Sequence, residues 1–200
     1  LEILNKEKNH LQKLNKEADE YSSSKKFREN LLPVDFTADD ESIMINFKGI
    51  DYEITKSNLT GADWIQYGNK EKEFKIPYYN NIVATTKAQI PEMYIIPPEW
   101  HEVISRLDLH GISYSRIEKP MEIKVTSYKF KNVKWGNAPY EGRMRINYLE
   151  MDTIREIRNY PKNSVIVPAN QRTSRVIAHL FEPQAPDSFI KWGFFNAIFE

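Results

Sequence analysis

The chain has 200 residues, of which 40% are hydrophobic and 12% aromatic, enough for one domain, or one domain with a small satellite, around a real core. Lys plus Arg and Asp plus Glu balance at 28 each, which leaves no basic field for a phosphate backbone, and no apolar run approaches the roughly 20 residues that span a bilayer. Cysteine is absent, so disulfide frameworks, thiolate metal sites and thiol nucleophiles are excluded, and neither a nucleic acid nor a membrane span is expected.

Leu4, Leu11, Leu14, Ala18 and Tyr21 form one narrow apolar stripe among Lys, Glu and Asn, which predicts an N-terminal helix that needs something to lie against. Ser22 to Lys26 end it, and the polar stretch to Ser42, with Pro33, reads as a linker or an irregular wrap. From Ser42 the period becomes two. Ile43, Ile45 and Phe47 alternate with polar residues, Gly49 is read as a turn, and Tyr52 and Ile54 continue the alternation as a hairpin. A turn at Asn58 to Gly61, a strand about Trp64 to Tyr67, a second turn at Gly68-Asn69 and a strand from Phe74 to Tyr79 follow.

Met93 to Ile96 is a short buried-strand pattern, and Pro97-Pro98 then opens a helix from Glu99 to His110. Trp100, Val103, Ile104 and Leu107 give that helix one core face, Gly111 caps it, and Ile112 to Ile117 returns to strand. The unit is β-α-β, with both strands in one sheet. Ile123 to Phe130, Arg143 to Tyr160 and Val165 to Val167 read as further strands. Asn170 is placed to cap a helix whose buried positions are Val176, Ile177, Leu180 and Phe181, ended by Pro183. The apolar run Phe189 to Phe199 is expected to dock on its own domain or on a neighbouring copy.

The fold class expected is α+β: a mixed, mostly antiparallel sheet with one β-α-β unit and two to three helices. Residues 1–30 form a helix and linker, and residues 31–200 an α+β domain with a β-rich first half (42–90) and an α/β second half (91–200). The chain opens on Leu1 without an initiator Met and stops inside an aromatic run, so it is expected to be a piece of a longer protein.

Chemistry is sparse. His179-Leu180-Phe181-Glu182 has the His-x-x-Glu spacing of a zinc half-site, but no histidine follows Glu182, and a catalytic zinc needs three protein ligands. His10, His101 and His110 belong to separate segments. Ser115, Ser164 and Ser188 lack a nucleophile-elbow context, and seven glycines do not supply a phosphate-cradling loop. Arg143, Arg145, Arg155 and Arg158 are readable as a carboxylate-binding cluster or, more simply, as alternating charge on a solvent face. Trp64, Tyr67, Tyr78, Tyr79, Trp135 and Tyr140 are readable as a stacking surface or as core. Asn58-Leu59-Thr60 fits a glycosylation sequon short enough to arise by chance. No catalytic, cofactor-binding or metal-binding residue is assigned.

The segments Tyr94 to Ile104, Leu109 to Ile112, Tyr140 to Arg143, Val167 to Arg172, Ala178 to Pro183 and Trp192 to Asn196 together resemble the C-terminal region of carboxypeptidase A-like zinc metallopeptidases from bacteria. The likeness runs over most of residues 40–200 and touches none of the family's catalytic motifs. It implies a non-catalytic accessory domain of an exported zinc carboxypeptidase-like protein, periplasmic or extracellular, that supports the peptidase domain or substrate access. The resemblance places zinc and proteolysis in the longer protein and none in this chain. The implied partners are an upstream peptidase domain of the same polypeptide and a peptide substrate. The alternative is a peptide- or glycan-binding module that works through strand aromatics.

Overall fold

The structure is a computed structural model and describes residues 1–199. The fold is α+β with antiparallel sheets, and the chain divides into two compact units: Leu1–Asp35 with Ala84–Glu200, and Phe36–Val83.

In the larger unit the N-terminal stripe is helical but in pieces: α1 (Glu2–Lys6), α2 (Lys8–Ser23) and α3 (Lys25–Glu29). The break at Ser24 is a cap, because its side-chain oxygen accepts from the Phe27 N–H at 3.1 Å. The stripe residues Leu11, Leu14 and Tyr21 remain substantially exposed. The expected linker is instead α3 followed by the strand β1 (Leu31–Ala38), which pairs with β4 (Ile82–Gln89). Phe27, Leu32 and Val34 are buried with Ala88, Ile90, Ala169, Ala178 and Ala185. Pro33 suggested irregular chain, yet a strand in a two-stranded sheet has one unpaired edge, where a missing N–H costs little.

The main core lies on a three-stranded sheet. Strands β5 (Met93–Ile96) and β6 (Ser115–Arg116) both pair antiparallel with β9 (Val165–Pro168), so the sheet order is β5-β9-β6. The β-α-β unit is present, and a strand from much later in the chain is inserted between its two parallel members. Its helix, α4 (His101–Leu109), buries Val103, Ile104 and Leu107, while Trp100 meets the Phe195 ring edge-on at 4.6 Å. The helix ends as its pattern predicts. Ile112 N–H donates to Leu107 O at 2.9 Å and Gly111 N–H to Asp108 O at 3.1 Å, and Ile112 packs in the same cluster as Leu107.

Helix α5 (Ser174–Phe181) completes this core with Ile177. Its N-cap is Thr173, not Asn170, without a side-chain capping bond, and Val176 is exposed where burial was expected. Gln171 organises the approach instead, donating to Ser113 O and Pro168 O at 3.0 and 2.7 Å. The C-terminal run docks on its own unit: Phe189 and Ile190 are buried, Phe194 and Phe195 pack on the core, and Phe199 meets Phe130 and Trp135 edge-on. A long antiparallel ribbon of β7 (Met121–Trp135) and β8 (Ile146–Tyr160) is tied to this run by the Ile146 N–H, which donates to Lys191 O at 2.9 Å.

The smaller unit is dominated by a second ribbon, β2 (Ile43–Lys56) paired with β3 (Asp63–Tyr78). The turn at residues 57–62 lies where Asn58 to Gly61 predicts it, but the chain runs straight through Gly49 and Gly68. These glycines allow close approach rather than turning. A Cβ on Gly49 would stand 3.0 Å from the Phe74 ring, and one on Gly68 3.2 Å from Asp51 O. Register places Ile43 opposite Tyr78, Ile45 opposite Ile76 and Phe47 opposite Phe74, and then shifts, leaving Gly68, Asn69 and Lys70 facing Asp51 alone.

Candidate functional site

The most constrained polar group is at the end of the His-x-x-Glu segment. Glu182 follows the last turn of α5, is only 2% exposed, and is fixed from two strands: Tyr94 on β5 donates its hydroxyl to Oε1 at 2.5 Å, and Tyr128 on β7 donates to Oε2 at 2.9 Å. Tyr94 stacks on Phe181 with ring centroids 5.0 Å apart, and Phe181 meets Phe189 edge-on at 5.3 Å. One carboxylate thus links the three-stranded sheet, the β7–β8 ribbon and the end of α5.

Its electrostatics follow from burial. Loss of water pushes the Glu182 carboxyl above the usual carboxylate range, and the two tyrosine hydroxyls pull it back down. Burial first, and then the adjacent carboxylate, hold both tyrosine hydroxyls far above the ordinary phenol range, so both stay protonated and donate. Each carboxylate oxygen thus accepts a hydrogen bond, and Glu182 joins the elements that carry its two donors.

The remaining zinc-type donors do not complete a site around it. His179 is half-buried on α5, His10 is exposed on α2, and His101 and His110 each place Nδ1 against a carbonyl of their own segment, Glu99 O at 3.2 Å and Arg106 O at 2.7 Å. Among the described residues no group of three or more His, Cys, Asp or Glu is arranged to hold a metal ion.

The four arginines do not form one cluster. Arg143 lies over the Phe194 ring at 3.6 Å and pairs with Glu102, while Arg145 lies over Trp192 at 4.3 Å and donates to Pro186 O at 3.1 Å. Both clasp the C-terminal run through cation–π contacts. Arg155 stands opposite Thr126 on the second ribbon strand, and Arg158 pairs with Glu156 at 3.1 Å. The six aromatics are exposed and divide between the units, with Trp64, Tyr67, Tyr78 and Tyr79 in the smaller and Trp135 and Tyr140 in the larger. An open depression on the β7–β8 ribbon is lined by Asn132, Val133, Lys134, Tyr148 and Glu150, none of the six.

The Tyr94–Glu182–Tyr128 linkage went unread in the sequence, although two signals bore on it. A tyrosine inside a buried-strand pattern needs a partner for its hydroxyl, and a glutamate next to the buried end of an amphipathic helix needs donors. Nothing in the spacing pairs residues 88 and 54 positions apart.

No family model and no solved structure matches the chain. Curated relatives are similar over part of it: Carboxypeptidase 2 of Trichophyton tonsurans and that of Trichophyton equinum are each 27% identical over 122 residues, 58% of this chain and 22% of the relative. The chain is related to carboxypeptidases. Carboxypeptidase 2 of Trichophyton rubrum is 27% identical over 103 residues, 52% of this chain and 19% of its own length. The alignment thus spans about a fifth of the length of these fungal relatives.

Proposed function

We propose that this chain is a non-catalytic, supporting region of an exported, zinc-dependent carboxypeptidase-like protein of the bacterial type, and that it braces a peptidase domain elsewhere on the same polypeptide. The observation that carries the reading is the state of Glu182. The glutamate of the His-x-x-Glu segment, the most metal-like feature of the sequence, is turned inward and held through both oxygens by Tyr94 and Tyr128, so the segment serves the fold. The partial similarity to carboxypeptidases supports the parent activity, with peptide substrates, and zinc and export are part of the proposal.

Metal analysis of chelator-treated, zinc-reloaded protein tests the non-catalytic part. The expected outcome is no stoichiometric zinc and no release of C-terminal residues from peptides. One tightly held zinc per chain, lost on His179→Ala, overturns it.

A further inference from the structure

In the larger unit, a small depression forms where the N-terminal helices meet α5, and its wall is apolar except for one charge. It is lined by Tyr21 from α2, Phe27 from α3, Leu31, Leu32 and Pro33 from β1, and Arg175 from α5. The amide of Asn30, also on the wall, is engaged with Lys26 O at 2.7 Å. Phe27 and Leu32 belong to a buried core cluster, so this part of the wall is held in place before any ligand arrives. The volume is about 140 Å³, close to the roughly 150 Å³ of an apolar cavity that takes up one benzene ring. There is room for one apolar group of the size of a leucine or phenylalanine side chain.

Arg175 sets the polarity. Its guanidinium lies over the Phe27 ring at 4.7 Å, which engages one face of the group and leaves the N–H donors in its plane open. Among the described residues that guanidinium makes no hydrogen bond or ion pair. The carboxylates of the adjoining helices already face other cations: Glu17 pairs with Lys13 at 3.7 Å, Asp19 with Arg172 at 3.7 Å, Glu20 with Lys16 at 3.8 Å and Glu29 with Lys25 at 3.6 Å. A planar fork of donors beside an apolar hollow matches a carboxylate carried on a compact apolar body. The carboxylate accepts two N–H bonds in the guanidinium plane, and the body displaces water from the apolar wall. No acidic side chain lines the depression, so an ammonium beside that carboxylate would lose water without gaining a partner.

We propose that this depression binds an apolar carboxylate with no adjacent ammonium, either a small free acid or the C-terminal residue of a peptide chain. Arg175 is the carboxylate-binding residue, Phe27, Leu31 and Leu32 receive the apolar group, and Tyr21 adds a hydroxyl to the wall. The inference stands on these residues alone, whether or not the rest of the polypeptide is a peptidase.

Calorimetric titration of the full chain tests it, with isovalerate, N-acetyl-leucine, N-acetyl-leucinamide and leucine as probes that share an isobutyl group. Saturable one-to-one binding of isovalerate or N-acetyl-leucine is expected. It should be about tenfold or more tighter than binding of the amide, which lacks the charge, and of leucine, which adds the ammonium. Tighter binding of N-acetyl-leucine than of isovalerate makes the ligand the end of a chain, and otherwise a free acid suffices. Arg175→Gln should weaken carboxylate binding about tenfold or more, whereas Arg155→Gln, which removes a cation of the β7–β8 ribbon, should leave it unchanged. Arg175 is exposed, so its variant should fold, and Leu31→Asp, at a wall residue 56% exposed, should weaken binding by placing a like charge in the hollow. No saturable binding of either carboxylate, equal affinity for N-acetyl-leucine and its amide or for N-acetyl-leucine and leucine, or binding indifferent to Arg175→Gln overturns the proposal.

Discussion

Glu182 places a carboxylate where water cannot reach it, and the two tyrosine donors are what make that position tolerable. Removing one of them, as in Tyr94→Phe, leaves a buried oxygen without its partner and should cost about 1–3 kcal/mol, read from urea unfolding. The pH dependence has a definite sign. The folded-state carboxyl titrates above its unfolded value because burial outweighs the tyrosine bonds, so the folded state holds its proton more tightly than the unfolded state. The contribution is therefore fully present below the ordinary glutamate value of about 4.3 and is lost as pH rises through the elevated folded value. Relative to Glu182→Gln, which does not titrate, the wild-type chain should lose stability as pH rises across that window. A stability difference that is flat with pH, or that grows in favour of the wild type, would show that the carboxylate is stabilised in its charged form.

At the level of elements, the apolar run after α5 acts as the clasp of the larger unit. Phe189 is 3% exposed and touches Phe181 and Phe194 edge-on, so Phe189→Ala should lower stability by about 3–5 kcal/mol, measurable as a shift of the denaturant midpoint. A loss below about 0.5 kcal/mol, the range of a surface substitution, would mean that the run is not docked. This docking was legible in the sequence because so many large apolar groups cannot be left in water, and α4 was legible because Trp100, Val103, Ile104 and Leu107 repeat at helical spacing. The signals that misled were single residues with two physical meanings. Gly49 and Gly68 mark turns when read alone, whereas each lets a neighbour press against the strand, and Pro33 suggests a linker or irregular wrap in what is a strand of a two-stranded sheet. The insertion of β9 between β5 and β6 had no local signal at all, since the pairing of Tyr94 with Val167 joins residues far apart in the chain. The Glu182 linkage was hidden for the same reason.

On the scale of the whole molecule, the larger unit is discontinuous in sequence, with β1 and β4 paired where the chain leaves it and returns. Both core clusters draw only on residues outside 36–83: Phe27, Leu32, Val34 and Ala88 in one, and the α4, β9 and α5 residues in the other. Among the described residues, none of the smaller unit belongs to either cluster. Replacing Phe36–Val83 by a short glycine-containing turn between Asp35 and Ala84 should thus leave a folded chain with one cooperative thermal transition. The expected change in Tm is within about 4 °C, the shift produced by roughly 1 kcal/mol in a domain of this size. The excised ribbon, diluted and alone, should show no cooperative transition, because two strands without a covering layer bury too little to offset their ordering entropy. Loss of the transition in the shortened chain would establish that the two units fold as one cooperative body, and that the β1–β4 pair cannot form without the ribbon between its strands.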